Sequence, residues 1–209
     1  MKTIKLVTLD LDYTIFLGNT VTYLNTYLGV SNLIDRYHAD YRDGKITERE
    51  LNELQTPILE KISVSKSIEA LSKGPILKNL DEGLKMLKKG GCEVQMLTMN
   101  PLQFVFKEIY GVGITMSLFT VSNDNFKLEK AFPENKVQLL ETYCRENKIE
   151  MRNCAHVGDS QNDVETFRQV RYSIALNSSD KVQNEASASL KTQDFQDVAG
   201  TILRADRLA

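Results

Sequence analysis

The sequence predicts an α/β fold built on a parallel sheet, and three features of the 209-residue chain lead to this prediction. Short apolar runs, each of the length of a buried strand, recur along the chain. Helical patterns lie between them, and this alternation of strands and helices is typical of βαβ units. Hydrophobic residues make up 42% of the chain, enough for one substantial core or for a core domain that carries a smaller insertion.

The predicted strands of the sheet are four apolar runs, at 5–9, 92–98, 155–158 and 172–176. A shorter strand is predicted at 188–191. The stretch around the turn-forming residues 123–125 alternates apolar and polar positions, which predicts a short β-hairpin.

Helices are predicted between the strands, where apolar residues recur three or four positions apart. One such helix ends before Gly90 and Gly91, because glycine commonly follows a helix C-terminus. Asn100 and Pro101 suit the N-cap and the first turn of the next helix. Asp194 is the expected N-cap of a closing helix.

Residues 20–73 interrupt the alternation with four successive helical patterns and no strand, which predicts a helical insertion after the first strand. Thr47 and Glu50 have the spacing of a capping box at one helix start, and Pro57 is expected to kink or split that helix. The predicted domains are an α/β core over 1–14 and 75–209 and a helical cap over 15–74.

The charge pattern argues against large anionic partners. The chain has 26 basic and 28 acidic residues with a formal net charge of -2, so we expect neither nucleic acid nor a membrane surface as a partner. No apolar run approaches the roughly 20 residues that cross a bilayer. Asp10 interrupts the apolar N-terminal stretch before it could form a signal-peptide core, so we expect a cytoplasmic protein. The sequence leaves the oligomeric state open.

Cysteine and histidine give no sign of a zinc site. Cys92, Cys144 and Cys154 form no CxxC pair, and we expect three reduced, structural thiols. His38 and His156 are far apart in the sequence, so paired imidazole ligands are also absent.

Aspartates follow two of the predicted strands, at the point where each strand ends. Asp10 and Asp12 follow the first strand, and Asp159 and Asp163 follow the strand at 155–158. Because ligands of parallel α/β sheets bind at the carboxyl ends of the strands, these loops could converge. Clustered carboxylates stay ionised only beside a cation, and Mg²⁺ suits two or so carboxylates together with water and a substrate phosphate.

Groups that could bind phosphate lie after the strand at 92–98 and further along the chain. Thr98 has a hydroxyl, Met99 and the helix start after it offer backbone N–H groups, and Lys136 supplies an amine. Asp10 could then attack phosphorus as a nucleophile, and Asp12 is placed to protonate the leaving oxygen. The pattern predicts phosphoryl-transfer chemistry on a small phosphorylated metabolite.

In their chain order, these residues resemble the four motifs of the haloacid dehalogenase superfamily of phosphatases. The first motif, DxDxT, is matched by DLDYT, the second by the run that ends at Thr98, the third by Lys136 and the fourth by GDSQND. The match covers the core, at 1–14 and 77–209. It implies a Rossmann-like, doubly wound parallel sheet, in which the helical insertion corresponds to the cap of such phosphatases.

The resemblance implies catalytic roles for four of the matched residues. Asp10 would be the nucleophile, and Asp12 the general acid and then the general base. Thr98 and Lys136 would bind the phosphate. Each residue takes its role from the order and spacing of the whole set, since an isolated Asp-x-Asp is more often a turn or a loop cation site.

The resemblance also implies a metal site. Mg²⁺ would be held by Asp10, by the backbone carbonyl of Asp12 and by Asp159. Asp163 would support either the metal or the phosphate-binding lysine, and Asn162 is expected on the substrate side of the site.

The insertion most resembles the cap of the phosphoserine phosphatase branch, but the residues that would contact the substrate differ. Asn19 stands where that branch has a glutamate for the substrate amino group, and Gln55 where it has a cap arginine for the carboxylate. Met99 and Asn100 follow Thr98, where the branch has a serine followed by glycine. The sequence therefore leaves the substrate open.

Several other residues have two interpretations. His156 is expected to be a hydrogen-bonded core histidine rather than a catalytic one, and His38 an ordinary residue of the cap. Tyr13 either shapes the mouth of the site or packs under the cap. Three basic residues of the cap either meet an anionic substrate or form a solvated helix face, which is the favoured interpretation: Arg42, Lys45 and Arg49.

The sequence thus predicts a Mg²⁺-dependent enzyme that hydrolyses a small phosphomonoester through an aspartyl-phosphate. Two alternatives stay open. The same covalent step could pass the phosphoryl group to another alcohol, as in a mutase or phosphotransferase. The fold could also bind a phosphorylated ligand without turnover, although Asp10 and Asp12 together favour an enzyme.

Overall fold

The computed structural model describes residues 4–116 and 118–208. Within these residues the strands, in chain order, are β1 (Leu6–Leu9), β2 (Glu93–Met96), β3 (Gly113–Ile114), β4 (Phe119–Ser122), β5 (Asn125–Leu128), β6 (Cys154–Gly158), β7 (Tyr172–Leu176) and β8 (Ala188–Leu190). Six of them form a parallel sheet in the order β3-β2-β1-β6-β7-β8, and β4 and β5 form an antiparallel hairpin.

The helices of the described residues lie mostly between these strands. In chain order they are α1 (Thr20–Leu28), α2 (Asn32–Arg42), α3 (Glu48–Leu59), α4 (Val64–Leu71), α5 (Leu80–Lys89), α6 (Gln103–Tyr110), α7 (Lys136–Asn147), α8 (Val164–Gln169), α9 (Asp180–Gln183) and α10 (Phe195–Leu208). The first four, α1 to α4, follow β1 without an intervening strand and are called the helical insertion below.

Both faces of the sheet are covered, which explains why the central strands β1, β6 and β7 are apolar at most positions and buried almost throughout. Val7 and Leu9 of β1 belong to the largest core cluster, together with residues of α5 and α10 such as Leu87 and Ile202. Leu6, on the opposite face of the strand, packs in a second cluster with Leu140 of α7. This arrangement confirms the predicted doubly wound α/β fold.

The register of the central strands brings the loops of the predicted site to one edge. Leu9, the last residue of β1, pairs with Met96 of β2 on one side and with Val157 of β6 on the other. All three strands are parallel, so the segments that follow them leave the sheet at the same end. Sequence reasoning found these strands from their apolar runs but missed β3, which has two residues.

The helical insertion has the four helices that the sequence predicts. Thr47 and Glu50 form the expected capping box at the start of α3, with the Thr47 N–H donating to Glu50 Oε2 at 2.7 Å. Pro57 does not split this helix, because α3 continues past it to Leu59. Pro57 lies close enough to the C-terminus that its missing N–H costs the helix a single hydrogen bond.

The predicted hairpin is also present. Asn123 and Asp124 form its two-residue turn with φ of 50° and 62°, the left-handed pair that matches the twist of a hairpin. The turn also contacts α4, because Asp124 Oδ1 accepts from the Ser65 N–H at 2.7 Å and from its hydroxyl at 2.6 Å. The hairpin thus supports the end of the helical insertion.

The start of α6 differs from the prediction. The helix begins at Gln103 rather than beside Pro101, and Leu102 occupies the N-cap position. Asn100 instead stabilises the turn before the helix, because its Oδ1 accepts from the Leu102 N–H at 2.7 Å. Its amide nitrogen is then free to reach the site.

The other end signals are confirmed. Gly90 is the C-cap of α5, and Asp194 Oδ1 accepts from the Gln196 N–H at 2.9 Å at the start of α10. Cys92, Cys144 and Cys154 are buried and free of disulfides. In the described part of the chain, no helix has both the length and the apolar composition that crossing a membrane requires.

Candidate active site

The centre of the site is an ion-pair cluster at the carboxyl ends of β1 and β6. Lys136, the first residue of α7, places its Nζ 2.7 Å from Asp10 Oδ1 and 2.7 Å from Asp163 Oδ1. The lysine side chain is 3% exposed. Burial alone would lower the pKa of Lys136, but Asp10 and Asp163 hold it well above its usual value, so the amine stays charged.

Asp163 is held by more donors than any other carboxylate of the site. Its Oδ1 accepts from Lys136 and from His156 Nε2, which lies 3.0 Å away. Its Oδ2 accepts from the backbone N–H groups of Asp159 and Ser160 and from the Ser160 hydroxyl, at 3.0 to 3.1 Å. Burial would raise the pKa of Asp163, but Lys136 and His156 keep it well below its usual range, so it stays ionised.

Gly158 is required by this arrangement. A Cβ at this position would lie 2.3 Å from the Asp163 carboxyl carbon and within 2.7 Å of both its oxygens. The glycine of GDSQND therefore leaves room for the carboxylate to lie directly on the strand end.

Asp10, Asp159 and Asp163 form a group that could hold a metal ion. Each offers a carboxylate oxygen, and these oxygens all lie within 4.8 Å of one another. Burial raises the pKa of Asp10 well above its usual value, although Lys136 opposes the shift. Burial and the neighbouring Asp163 raise the pKa of Asp159 to about 7. Three carboxylates beside one lysine leave excess negative charge, and an oxygen-ligated divalent cation would neutralise it.

Asp12 lies outside this carboxylate group and has a different environment. Its Oδ1 accepts from the Thr20 N–H at 2.8 Å, and its Oδ2 accepts from the side-chain amides of Asn19 and Asn100, each at 2.9 Å. Burial raises the pKa of Asp12 even though these donors oppose the shift. Burial thus favours the protonated form of Asp12, which is the form that a general acid requires.

The backbone at Asp12 is held by an unusual turn. Tyr13 has φ of 56°, a left-handed conformation that is strained for an aromatic residue, and its N–H donates to Gly18 O at 3.0 Å. The Tyr13 side chain is 55% exposed and lines the cavity described below. Of its two interpretations, the structure favours a place at the mouth of the site over packing in the interior.

The predicted phosphate ligands lie at the neighbouring strand end. Thr98 is 5% exposed and lines the same cavity, and its Oγ1 accepts from the Asn100 N–H at 3.2 Å, which leaves its own proton for a ligand. The Met99 side chain packs in the second core cluster. Because this side chain is buried in the core, Met99 can contribute to the site only through its backbone. Its N–H has no acceptor among the described residues.

A cavity of about 160 Å³ lies between the sheet edge and the helical insertion. The sheet edge contributes Asp10, Asp12 and Lys136, among others. The segment 15–74 contributes Asn19 and Gln55, which the resemblance places at substrate-contacting positions. It also contributes four polar residues that were not assigned to the site from the sequence: His38, Tyr41, Glu48 and Asn52. Gln55, which sequence comparison placed where a cap arginine is expected, is 2% exposed.

The buried polar groups of the insertion form a chain of hydrogen bonds. His38 Nε2 lies 3.1 Å from Gln55 Oε1, and Gln55 Nε2 donates to Asn52 Oδ1 at 2.7 Å. Burial lowers the pKa of His38, so the ring is neutral at pH 7. His38 is thus part of the cavity wall rather than the ordinary cap residue that we expected from the sequence.

Asn162 connects the sheet edge to the insertion. Its Nδ2 lies 2.9 Å from the Tyr41 hydroxyl and 2.9 Å from Glu48 Oε2. In this structure the expected substrate-side residue therefore contacts two residues of the cavity wall. The expected solvated face is also found, because Lys45 pairs with the half-buried Asp40 and the exposed Asp43, and Arg49 pairs with Glu53 and Glu134.

His156 lies behind the site. The ring is fully buried, with Nε2 on Asp163 Oδ1 and Nδ1 2.9 Å from Thr8 Oγ1. Burial lowers its pKa, which favours the neutral ring. This matches the expectation of a hydrogen-bonded core histidine, which here orients the Asp163 carboxylate.

Comparison with known proteins agrees with this geometry. A phosphoserine phosphatase of Methanocaldococcus jannaschii is 20% identical over 202 residues, which are 93% of this chain and 95% of that protein. A solved phospho-aspartyl intermediate analogue of phosphoserine phosphatase superposes with a TM-score of 0.73 at 19% identity, covering 96% of this chain and 99% of the other. A haloacid dehalogenase family hydrolase from Salmonella enterica serovar Typhi gives a TM-score of 0.79 at 16% identity, covering 93% of this chain and 69% of the other.

These structural similarities establish the fold, and a sequence-family match establishes the family. The model of the haloacid dehalogenase-like hydrolases matches residues 4–171, which include β1, the helical insertion and the segment with Asp159 and Asp163. The protein therefore belongs to the haloacid dehalogenase-like hydrolase family.

Proposed function

We propose that the protein is a Mg²⁺-dependent phosphomonoester hydrolase that works through an aspartyl-phosphate on Asp10. The observation that carries the proposal is the pairing of two aspartates with opposite environments on one loop. Burial raises the pKa of both carboxyls, but Asp10 lies 2.7 Å from the charged amine of Lys136 and in the group that could hold a cation, and both charges favour its ionised form. Asp12 is held by uncharged donors only. One can act as an anion and the other as an acid.

The acidic group fits a bound Mg²⁺. Asp10 and Asp159 would hold the ion with the backbone carbonyl of Asp12, because Asp163 already accepts from five donors and is better suited to orient Lys136. When bound, Mg²⁺ supplies positive charge beside the phosphate oxygens and lowers the pKa of its carboxylate ligands.

The chemical cycle uses the residues of the first loop. Asp10 attacks phosphorus, a bond forms between its carboxylate oxygen and phosphorus, and the bond to the leaving oxygen breaks. Asp12 gives its proton to that oxygen and releases the alcohol. Asp12 then removes a proton from water, which attacks phosphorus, frees inorganic phosphate and restores Asp10.

The remaining residues bind and position the phosphate. Lys136 is charged and close to Asp10, so it can offset the negative charge of the phosphate as the carboxylate approaches. The Thr98 hydroxyl and the Met99 N–H have donor capacity that no described residue uses. The segment 15–74 would act as the cap that covers the bound ester and excludes bulk water.

The proposal is tested by hydrolysis of p-nitrophenyl phosphate with Mg²⁺ and with a chelator. We expect turnover only with Mg²⁺, and its loss in Asp10→Asn. Asp180→Asn, an exposed aspartate on α9, is the matched control and should leave turnover unchanged. Unchanged turnover in Asp10→Asn would exclude Asp10 as the nucleophile. Phosphate release that depends on an added acceptor alcohol would identify a phosphotransferase instead.

A further inference from the structure

We propose that the substrate is the phosphate monoester of a small alcohol that carries an ammonium group and no carboxylate, and that Glu48 binds the ammonium group. This inference rests on the hydrolase function proposed above and extends it to the leaving group. It follows from the size of the cavity, its charges and two unused polar groups in its wall.

The cavity limits the size of the alcohol. Its volume of about 160 Å³ is small beside the roughly 300–1,000 Å³ of pockets for drug-sized ligands. The phosphate must lie against Asp10 and Lys136, so the remaining space lies between Asp12 and the wall formed by α2 and α3. An alcohol of a few carbon atoms fits this space.

The charges of the cavity disfavour a carboxylate on that alcohol. Among the described residues that line it, Lys136 is the one cation, and Asp10 and Asp163 already bind it. Arg42, Lys45 and Arg49 do not line the cavity. A carboxylate placed near the wall would face Glu48 with no basic partner, which is unfavourable in a partly desolvated site.

Glu48 lacks the partner that an ammonium group would provide. Asn162 holds its Oε2 at 2.9 Å and so directs the carboxylate toward the sheet edge. No described basic side chain forms an ion pair with Glu48. Burial raises the pKa of Glu48, although the amine of Lys136 opposes the shift. An ammonium group in the cavity would compensate the charge of Glu48.

Asn52 is a second group with unused capacity. Its side chain lines the cavity, the residue is 4% exposed, and its Oδ1 is occupied by Gln55. No described residue accepts from its Nδ2. This amide donor lines the cavity and can therefore donate to a ligand oxygen, and the hydrogen-bond chain from His38 through Gln55 fixes its direction. An ester or hydroxyl oxygen of the substrate would satisfy it.

The test compares substrates that differ by one group. Phosphoethanolamine carries the ammonium group, phosphoserine adds a carboxylate to it, and glycerol 3-phosphate has neither. We expect kcat/KM for phosphoethanolamine to exceed that for each of the others by about tenfold or more, the effect of one charged hydrogen bond. In Glu48→Gln the advantage over glycerol 3-phosphate should disappear. Glu53→Gln removes an exposed carboxylate from the same helix, and this variant should keep the preference for phosphoethanolamine over glycerol 3-phosphate.

Each other outcome overturns the inference. A preference for phosphoserine, especially one lost in the exposed Arg42→Gln, would show that a carboxylate is bound at the mouth of the cavity. A preference for glycerol 3-phosphate, or a ratio that Glu48→Gln leaves unchanged, would exclude Glu48 as an ammonium ligand. Hydrolysis of acetyl phosphate, whose leaving group is as small as ethanolamine, identifies the remaining case, because an enzyme inactive on it and on the three esters would contradict the proposed function itself.

Discussion

The surroundings of Asp12 favour its protonated form, as the proposed role of general acid requires. Burial raises its pKa, and Thr20, Asn19 and Asn100 donate to its oxygens without adding charge. We expect Asp12→Asn to lower kcat/KM for an alkyl phosphate by about 10²–10⁴, the usual contribution of general acid catalysis. The loss should be much smaller with p-nitrophenyl phosphate, whose leaving group departs without a proton. Equal losses with both substrates would contradict the acid role.

Replacing Gly158 tests whether the Asp163 carboxylate must lie directly on the end of β6. A Cβ there would lie 2.3 Å from the Asp163 carboxyl carbon, so Gly158→Ala should displace the carboxylate and its lysine partner. We expect a loss of about 1–3 kcal/mol in the free energy of unfolding and a large loss of turnover. Gly200→Ala is the control, because its nearest neighbour is the flexible end of Arg204 at 3.3 Å. Its stability should not fall, and wild-type turnover in Gly158→Ala would show that Asp163 has another position.

Asp159 should make the stability of the metal-free protein depend on pH. Its folded pKa of about 7 lies above the roughly 3.9 of an unfolded aspartate. A raised folded pKa gives stability that is present at low pH and lost as the pH rises through 7. The difference in unfolding free energy between wild type and Asp159→Asn should therefore shift against the wild type by about 2 kcal/mol from pH 5 to pH 8.

This comparison is measured by chemical denaturation with a chelator present. Taking the difference removes the opposing effect of His156, whose lowered pKa favours folding as the pH rises. Mg²⁺ should abolish the shift, because a bound cation stabilises the ionised carboxylate. A difference that stays constant between pH 5 and pH 8 would mean that Asp159 is not buried beside other carboxylates.

The β4–β5 hairpin and α4 are coupled through Asp124, by its side chain and by its backbone carbonyl. Asp124 accepts from the Ser65 N–H and hydroxyl while occupying a left-handed turn position. We expect Asp124→Ala to lower the free energy of unfolding by about 1–2 kcal/mol, since it removes a helix-start acceptor and strains the turn. Asp124→Asn keeps an acceptor and tolerates the turn, so it should retain most of the stability. Equal losses in thermal unfolding of the two variants would contradict this account.

The elements could be predicted where their signals are local. The Thr47–Glu50 capping box, the turn at Asn123 and Asp124, and the apolar strands all depend on residues close in sequence. The start of α6 could not be predicted, because Asn100 has a second role. Its amide nitrogen donates to Asp12, 88 positions away, and to Thr20. A helix-start signal and a site contact are indistinguishable in the sequence alone.

The same difference separates the two halves of the site. Asp10, Asp12 and Asp159 were predicted because strand ends in a parallel sheet share one edge. Lys136 was predicted from its place in the order of the four motifs. The cavity wall formed by the helical insertion could not be predicted in this way. The directions of the Asn52 and Glu48 side chains depend on how the insertion packs over the sheet. Within the segment 15–74, the resemblance placed Asn19 and Gln55 at substrate-contacting positions, and both line the cavity.

The proposed mechanism requires that Asp10 becomes covalently phosphorylated during turnover. The most direct measurement is rapid quenching with substrate and Mg²⁺, reduction of acyl phosphate by borohydride, and peptide mapping by mass spectrometry. We predict homoserine at position 10, formed by reduction of the aspartyl-phosphate, and none in protein quenched without substrate. Unmodified Asp10 in an enzyme that is actively releasing phosphate, or homoserine at another aspartate, would contradict the central claim.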